Sequence, residues 1–319
     1  MNAYIGYSTD KDIRFQATSG GIGTSLIKWL FEKGYVQTSI SFSFNSSTLK
    51  YDPKLIYRYE DYEISGSIYQ EIDIINFIKN NTHKIKGSFV CFSLPCQTRA
   101  IRTIVERNGH SAFIIGLTCS SQLTLEGTKF LLKKIRLKED EVKLIKYRGD
   151  GWPSGIRIDT RSGNHIFLEN NSSIWTSIFH SRLFVRKKCL MCSNTLNLHC
   201  DIVLADPWLQ EYKSSETIGQ TMCVCYTNKA YSALNDCFND GYIHMSPIGY
   251  DKVLESQKST INRKESYAVS CNIINTYYNI LQNKIYRFFV LRLNYFSLHC
   301  KLKQRFEYWL LKRTGQMSK

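Results

Sequence analysis

No run of about 18 apolar residues, the length needed to cross a bilayer, occurs in this chain; the nearest candidate, Phe288 to Cys300, is broken by Arg292, Asn294 and His299. The opening stretch, Met1 to Lys11, lacks the charged, apolar and cleavage-site succession of a secretory signal. No internal repeat or long low-complexity tract is visible. Acids are scarce: 27 Asp and Glu against 42 Lys and Arg leave a formal charge of +15. Such a surface attracts nucleic acid, anionic lipid head groups or phosphorylated substrates alike. No helix-turn-helix or paired zinc-finger spacing accompanies the charge, so nucleic acid is not the expected partner. Eleven cysteines spread over 319 residues do not make the dense framework of a small secreted domain, and a reducing, cytoplasmic location is the expectation.

What is present points to a folded globular core, since apolar residues make up 43% of the chain. Strand-like runs at Tyr35 to Phe44, Ser88 to Phe92 and Ala112 to Leu117 alternate with helical patterns at Ser25 to Glu32, Tyr69 to Ile78, Gln97 to Gly109 and Thr124 to Ile135. This rhythm predicts an α/β fold with a mainly parallel sheet and flanking helices. After Val142 the elements shorten: Val142 to Tyr147, Gly155 to Asp159 and His165 to Leu168 read as antiparallel strands, with Arg161-Ser162-Gly163-Asn164 as a turn. A helical segment, Ser173 to Phe184, leads into a cysteine loop. Strands at Cys200 to Leu204 and Thr221 to Tyr226 and helices at Ala230 to Phe238 and Tyr250 to Ser256 follow, with the polar patch Asn262 to Glu265 as a hinge. The expected division is a core over 1–265, parallel α/β in 1–140 and antiparallel with the cysteine loop in 141–265, then a basic aromatic helical tail over 266–319. Between Lys284 and Lys319 there are nine Lys or Arg residues and one acid, Glu307. Helices of that kind lie in membrane interfaces, so peripheral contact with the inner membrane face is expected.

Cys189-Leu190-Met191-Cys192 is a C-x-x-C pair preceded by Arg186, Lys187 and Lys188. Two thiolates at that spacing ligate one metal centre, and neighbouring cations favour the deprotonated form. Cys96 and Cys119 follow the strands Ser88 to Phe92 and Ala112 to Leu117, at the carboxyl ends where open α/β sheets place their ligands. A four-cysteine centre is therefore geometrically reasonable, with zinc and an iron–sulfur cluster both compatible with sulfur ligation. The remaining cysteines read as core residues or idle thiols, and His110, His165 and His180 as ordinary residues.

Seven segments, taken in order, resemble the coenzyme F-420 hydrogenase/dehydrogenase beta-subunit family. They are Gly20-Gly21 before a helix, Gly66-Ser67-Ile68-Tyr69, Leu94-Pro95-Cys96-Gln97, Gly116-Leu117-Thr118-Cys119, Tyr147 to Pro153, Cys189-x-x-Cys192, and Asp201-Ile202-x-x-Ala205-Asp206-Pro207-Trp208. The resemblance implies an FAD- and [4Fe-4S]-dependent oxidoreductase, with Cys96, Cys119, Cys189 and Cys192 as cluster ligands. It further implies electron transfer from a reduced flavin, deazaflavin coenzyme F-420 or NAD(P)H donor to a small substrate or an electron-transfer protein. Some relatives are associated with surface-polysaccharide synthesis, which suggests a nucleotide- or lipid-linked sugar. The chain departs from the pattern in three places: its first cysteine is Cys91, so no N-terminal ferredoxin-like array is present; Ile68 stands where a lysine is common; and Ala205 replaces a glycine. Cys200, beside the aspartate motif, is an alternative ligand in place of Cys96.

For the flat cofactor, Ser19, Gly20, Gly21 and Thr24 lie where glycines permit close backbone approach and a following helix offers free N–H groups. Ser67 and Tyr69 are included by the resemblance. Arg148 suits a phosphate or carboxylate, Gly149 leaves room beside it, and Trp152 suits a flat ring. Asp206 and Trp208 lie beyond a strand end. Arg148 and Asp206 are the candidate catalytic residues, as ligand-orienting groups, because the redox step belongs to the cofactors. A zinc-stabilised nucleic-acid-binding protein and a redox-inactive transferase or scaffold remain the alternatives.

Overall fold

Alternate residues of the two central strands serve two different cores, the pattern of a sheet covered on both faces. Phe89 and Cys91 pack with Ala112 and Ile114 on one side, and Val90 packs with Phe113 and Ile115 on the other. The computed structural model describes residues 2–171 and 173–317. Numbered along the chain, the large sheet first takes β1 (Asn2–Ser8), β2 (Thr38–Asn45), β3 (Lys50–Ile56), β4 (Phe89–Ser93) and β5 (Ala112–Leu117). A separate small sheet follows with β6 (Val142–Lys146), β7 (Gly155–Thr160) and β8 (His165–Glu169). The chain then returns to the large sheet with β9 (Ile202–Ala205), β10 (Thr221–Cys225) and β11 (Ile243–Ile248). The large sheet runs in the order β11-β1-β10-β9-β5-β4-β2-β3. Its centre, β9-β5-β4-β2, is parallel, and both flanks are antiparallel. The expected α/β class is met, as a mixed sheet with a parallel heart.

Helices cover each face. Ile22–Glu32 buries Leu26, Ile27 and Leu30 against one side; Ile74–Asn81 and Thr98–Arg107 bury Ile78, Ile101 and Val105 against the other. The small sheet packs its inner face into a third core, which also receives Ile274, Leu281, Val290, Phe296 and Leu310 from the helices after residue 270. Strands on both sides of residue 140 thus build one sheet, and the C-terminal helices are seated on the body by their inner residues.

Several elements differ from the sequence expectation. The helix expected from Tyr69 starts only at Ile74, where the Asp73 carboxylate accepts the Asn76 N–H. The preceding residues are held extended: Leu123 N–H donates to the Tyr69 carbonyl, and the Gln70 amide donates to the Leu49 carbonyl. β3 and β11 carry Pro53 and Pro247 at the sheet's two edges, where proline is tolerated and a clean apolar alternation is not required. The expected hinge at Asn262 to Glu265 lies inside the continuous helix Tyr250–Val269. There Arg263 and Lys264 are 8% and 2% exposed, so these two cations of the polar patch face inward to partners while Glu265 stays at the surface.

Asp201 joins β5, β9 and β10 at the amino end of β9, away from the cavity. It is fully buried, and its carboxylate accepts from the Ile114 N–H at 2.7 Å, Arg102 at 2.8 Å and the Thr227 hydroxyl at 3.2 Å, with Lys229 at 3.1 Å. Removing the carboxylate leaves the buried Ile114 N–H and two partly exposed cations without their partner, a loss of about 1–3 kcal/mol. Asp201→Ala is expected to lower stability by that order, read as a shift in the urea midpoint; an unchanged midpoint would show that this junction does not carry the sheet.

Candidate functional site

Three loops are drawn together over the carboxyl ends of β4 and β5, and Asn197 does much of the drawing. It is fully buried. Its amide donates to the Ser93 carbonyl at the end of β4 and accepts from the Thr98 hydroxyl at 2.7 Å. Cys119 N–H, at the end of β5, donates to the Thr195 carbonyl of the same loop. The loop carrying Cys192 is thereby pinned over both strand ends, next to the loops carrying Cys96 and Cys119. The four expected ligands act on one another electrostatically. Cys96 is shifted upward, first by burial and then by the charge of Cys189, with Cys192 adding to it. Cys119 is pushed up to about 12, first by burial; Lys264 opposes this, while Cys189, Cys96 and Cys192 reinforce it.

All eleven cysteines are free. Among the described residues, no three Cys, His, Asp or Glu side chains close on the geometry of one metal ion. A single zinc ion needs every sulfur at ~2.3 Å from one point; a four-iron cluster takes one thiolate at each of four separate irons and suits a wider grouping. Cys200 is not part of the group. Its thiol is turned to the Asn197 carbonyl at 3.0 Å, and its electrostatic neighbours are Asp201 and Arg102.

Beside the cysteines lies a cavity of about 580 Å³, and Cys119 is part of its wall. Its floor is formed by the strand ends Ser93-Leu94, Leu117-Thr118 and Leu204 to Asp206. Gly21, at φ 79°, lets the chain turn into the helix Ile22–Glu32; Gly21, Gly23 and Thr24 then line the cavity where that helix's first N–H groups are free. Of the residues expected to hold a flat cofactor, Ser19, Gly21, Thr24 and Ser67 line this space, as do Tyr69, Arg148, Asp206 and Trp208. Gly20, Gly149 and Trp152 stand behind it. Gly20 packs on the backbone of Gly6 and Thr221, and Trp152 is 3% exposed, tilted against Trp208 with centroids 5.1 Å apart.

Arg148 and Asp206 form one unit. Arg148 is 3% exposed and donates to both carboxylate oxygens of Asp206, at 2.6 and 3.3 Å, and to the carbonyl of Thr18 at 3.2 Å. It also lies 5.5 Å over the Trp208 ring, while Trp152 Nε1 donates to Asp206 at 3.3 Å. Burial lowers the Arg148 pKa, but Asp206 and Tyr69 outweigh it and hold the guanidinium charged. Gly66, at φ 66°, passes so close to the Arg148 carbonyl that a Cβ would sit 1.9 Å from it. Arg148 therefore holds the 17–19 loop through Thr18 and packs its carbonyl against the 65–67 loop at the cavity wall.

The residues that sequence reading missed are cations. Lys264 donates to the Asn194 carbonyl at 2.7 Å and reaches Cys192 Sγ at 3.7 Å. Its neighbour Arg263 donates to the Ser120 hydroxyl at 2.9 Å, one residue beyond Cys119. Arg182 and Lys303, also buried, reach Glu307 at 3.0 and 2.5 Å. Burial brings Arg263 down to about 10, with the charge of Arg182 adding to it and Glu307 opposing it. His180 lines the cavity and, despite its open face toward that space, is held down to about 4 by the protein around it and by Arg182. Arg182 and Lys303 thus share one carboxylate, whose charge also reaches Arg263, and Lys264 stands beside the thiols. No periodicity or motif marks this; Arg263 and Lys264 read as a polar patch until the helix is built.

Comparison with known proteins agrees with the geometry. Residues 3–79 match the family model for the N-terminal part of the coenzyme F420 hydrogenase/dehydrogenase beta subunit. Residues 88–250, just over half of the chain, match the model for the C terminus of the same coenzyme F420 hydrogenase/dehydrogenase beta subunit. The chain belongs to this family. It is accordingly an oxidoreductase-family protein with an electron-transfer role. A chain of the F420-reducing [NiFe] hydrogenase complex from Methanosarcina barkeri superposes with a TM-score of 0.64 over 83% of this chain and 90% of that one, at 18% identity. At that identity the likeness is one of fold. No curated protein matches the sequence.

Glu307 offers a direct test of the cation group. Burial raises its pKa, but Arg182 and Lys303 outweigh this and hold it at about 2. The unfolded value is ~4.3, so its ionised form contributes stability in full above that pH, and the contribution is lost as pH falls toward 2. Glu307→Gln is expected to cost about 3 kcal/mol at neutral pH, measured by chemical unfolding, with the gap to wild type narrowing between pH ~4.3 and ~2. A gap that stays constant across that window would remove the ion pairing from the account.

Proposed function

We propose that the chain carries electrons between a flat redox cofactor in the cavity and an iron–sulfur cluster held by Cys96, Cys119, Cys189 and Cys192. The observation that carries this reading is the charge around the thiols. Burying Arg182, Arg263, Lys264 and Lys303 with one carboxylate among them is costly unless a further anion lies nearby. Four thiolates around a cluster supply it: cationic neighbours favour deprotonated sulfur, and the deprotonated sulfur compensates the cations. Neutral thiols would not.

When bound, the cluster supplies one-electron chemistry, and the protein's task is to hold and bias it. Cys119 belongs both to the cysteine group and to the cavity wall, which supports a short path between the two centres. In the cavity, the free N–H groups after Gly21 suit a phosphate. Trp208 and Tyr69 offer flat apolar walls, and Arg148, paired with Asp206, holds the 17–19 loop at the cavity wall. FAD and the deazaflavin coenzyme F-420 both have the required flat ring and anionic tail, and a reduced deazaflavin or NAD(P)H suits the donor's part. Ile68, part of the wall where relatives commonly carry lysine, leaves one less cation for the ligand. The acceptor is a partner protein or a small substrate; a nucleotide- or lipid-linked sugar is the first class to try.

Anaerobic purification followed by iron, sulfide, zinc and flavin analysis tests the reading. About four irons and four sulfides per chain are expected, and Cys119→Ser and Cys189→Ser are each expected to lose most of that iron while the chain stays folded. A colourless protein that holds zinc, or iron content unaffected by both substitutions, would sink it.

A further inference from the structure

Two C-terminal helices turn an apolar face, edged with cations, away from the body. On Lys284–Arg292, Val290 is buried while Ile285, Phe288 and Phe289 are 69%, 53% and 47% exposed. On Phe296–Arg313, Phe296, His299, Lys303 and Leu310 face inward, and Leu298, Leu302 and Trp309 are 51%, 50% and 46% exposed. The two faces meet at an aromatic corner, where Phe289 lies 6.1 Å from Phe288 and 6.3 Å from Tyr295. Among the described residues, nine of the 21 exposed large apolar side chains fall between Ile285 and Trp309, so this is a patch and not surface scatter.

The charge is one-sided. Lys284, Arg292, Lys301, Arg305 and Lys312 are exposed around the patch. From Ser266 to Met317 the sequence contains a single acid, Glu307, and that carboxylate is turned inward onto Arg182 and Lys303. Glu126, from a neighbouring helix, reaches the region only as the partner of Arg287 at 2.7 Å.

We propose that this face seats the protein on an anionic bilayer surface, its aromatic and leucine side chains entering the head-group boundary and its cations meeting lipid phosphates. No helix of the described residues is long and apolar enough to cross a membrane, so the contact is interfacial. A second copy of the chain fits the face poorly, because pairing it with itself sets cations against cations. An anionic lipid surface complements both halves of the pattern. This inference does not depend on the cysteines or the cavity.

The test is vesicle co-sedimentation of the full-length protein with phosphatidylglycerol/phosphatidylcholine vesicles and with phosphatidylcholine alone. Binding to the anionic vesicles is expected, at least about tenfold stronger than to the neutral ones and weakened by salt. The variant Phe288→Ser/Phe289→Ser/Trp309→Ser and the charge variant Lys301→Glu/Arg305→Glu are each expected to lose about tenfold, with unchanged circular dichroism. The second variant leaves the apolar side chains in place, so the proposal stays testable if the first folds badly. An intact protein that sediments with neither vesicle would overturn the proposal, as would charge variants that bind like wild type. So would a dimer in light scattering that the triple substitution dissolves, with no vesicle binding.

Discussion

Buried positive charge beside a group of thiols is the constraint on which the rest of the structure turns. A lysine or arginine leaves water only where something anionic or strongly polar receives it, and here four do so with one carboxylate among them. Arg263 and Lys264, adjacent on one helix, reach two different cysteine loops. That helix therefore acts as a brace: its hydrogen bonds to Ser120 and Asn194 hold the loops of Cys119 and Cys192 in register, and Lys264 opposes the upward shift that burial imposes on the Cys119 thiol. The C-terminal helices complete the arrangement by delivering Glu307 and Lys303. A tail that sequence reading separates from the core is, at its inner surface, joined through Glu307 to the buried Arg182.

The fold places a second site against the first. Parallel strands β4, β5 and β9 end on the same side, and each end contributes to the cavity floor. The helix Ile22–Glu32 starts there, so its free N–H groups and the strand-end loops converge on one space. Because Cys119 follows β5 directly, a single strand end serves both the cysteine group and the cavity. Such adjacency is what electron transfer between two bound centres requires, and it arises from strand order together with the loop that Asn197 pins over the strand ends.

Much of this was legible in the residues. Near-continuous apolar runs at Ser88 to Phe92 and Ala112 to Leu117 revealed the central strands, and the ordered motifs revealed the family. Eight of the residues expected at the cofactor face the cavity. What stayed hidden had physical reasons. β3 and β11 are edge strands with a proline each, so they need no two-sided apolar pattern. Asn197 and Lys264 act through contacts distant in sequence, to Ser93 and Asn194, and a polar residue that is buried looks the same in a sequence as one that is solvated. Cys200 sits beside the aspartate motif, yet the turn at Asn197 points its sulfur away from the other four.

The central claim is that Cys96, Cys119, Cys189 and Cys192 share one iron centre next to the cavity. Anomalous diffraction at the iron and zinc edges, from crystals grown without oxygen, tests it most directly. The expected result is iron density bounded by those four sulfurs. Zinc at that position, or iron bound elsewhere with the four thiols left free, would contradict the account.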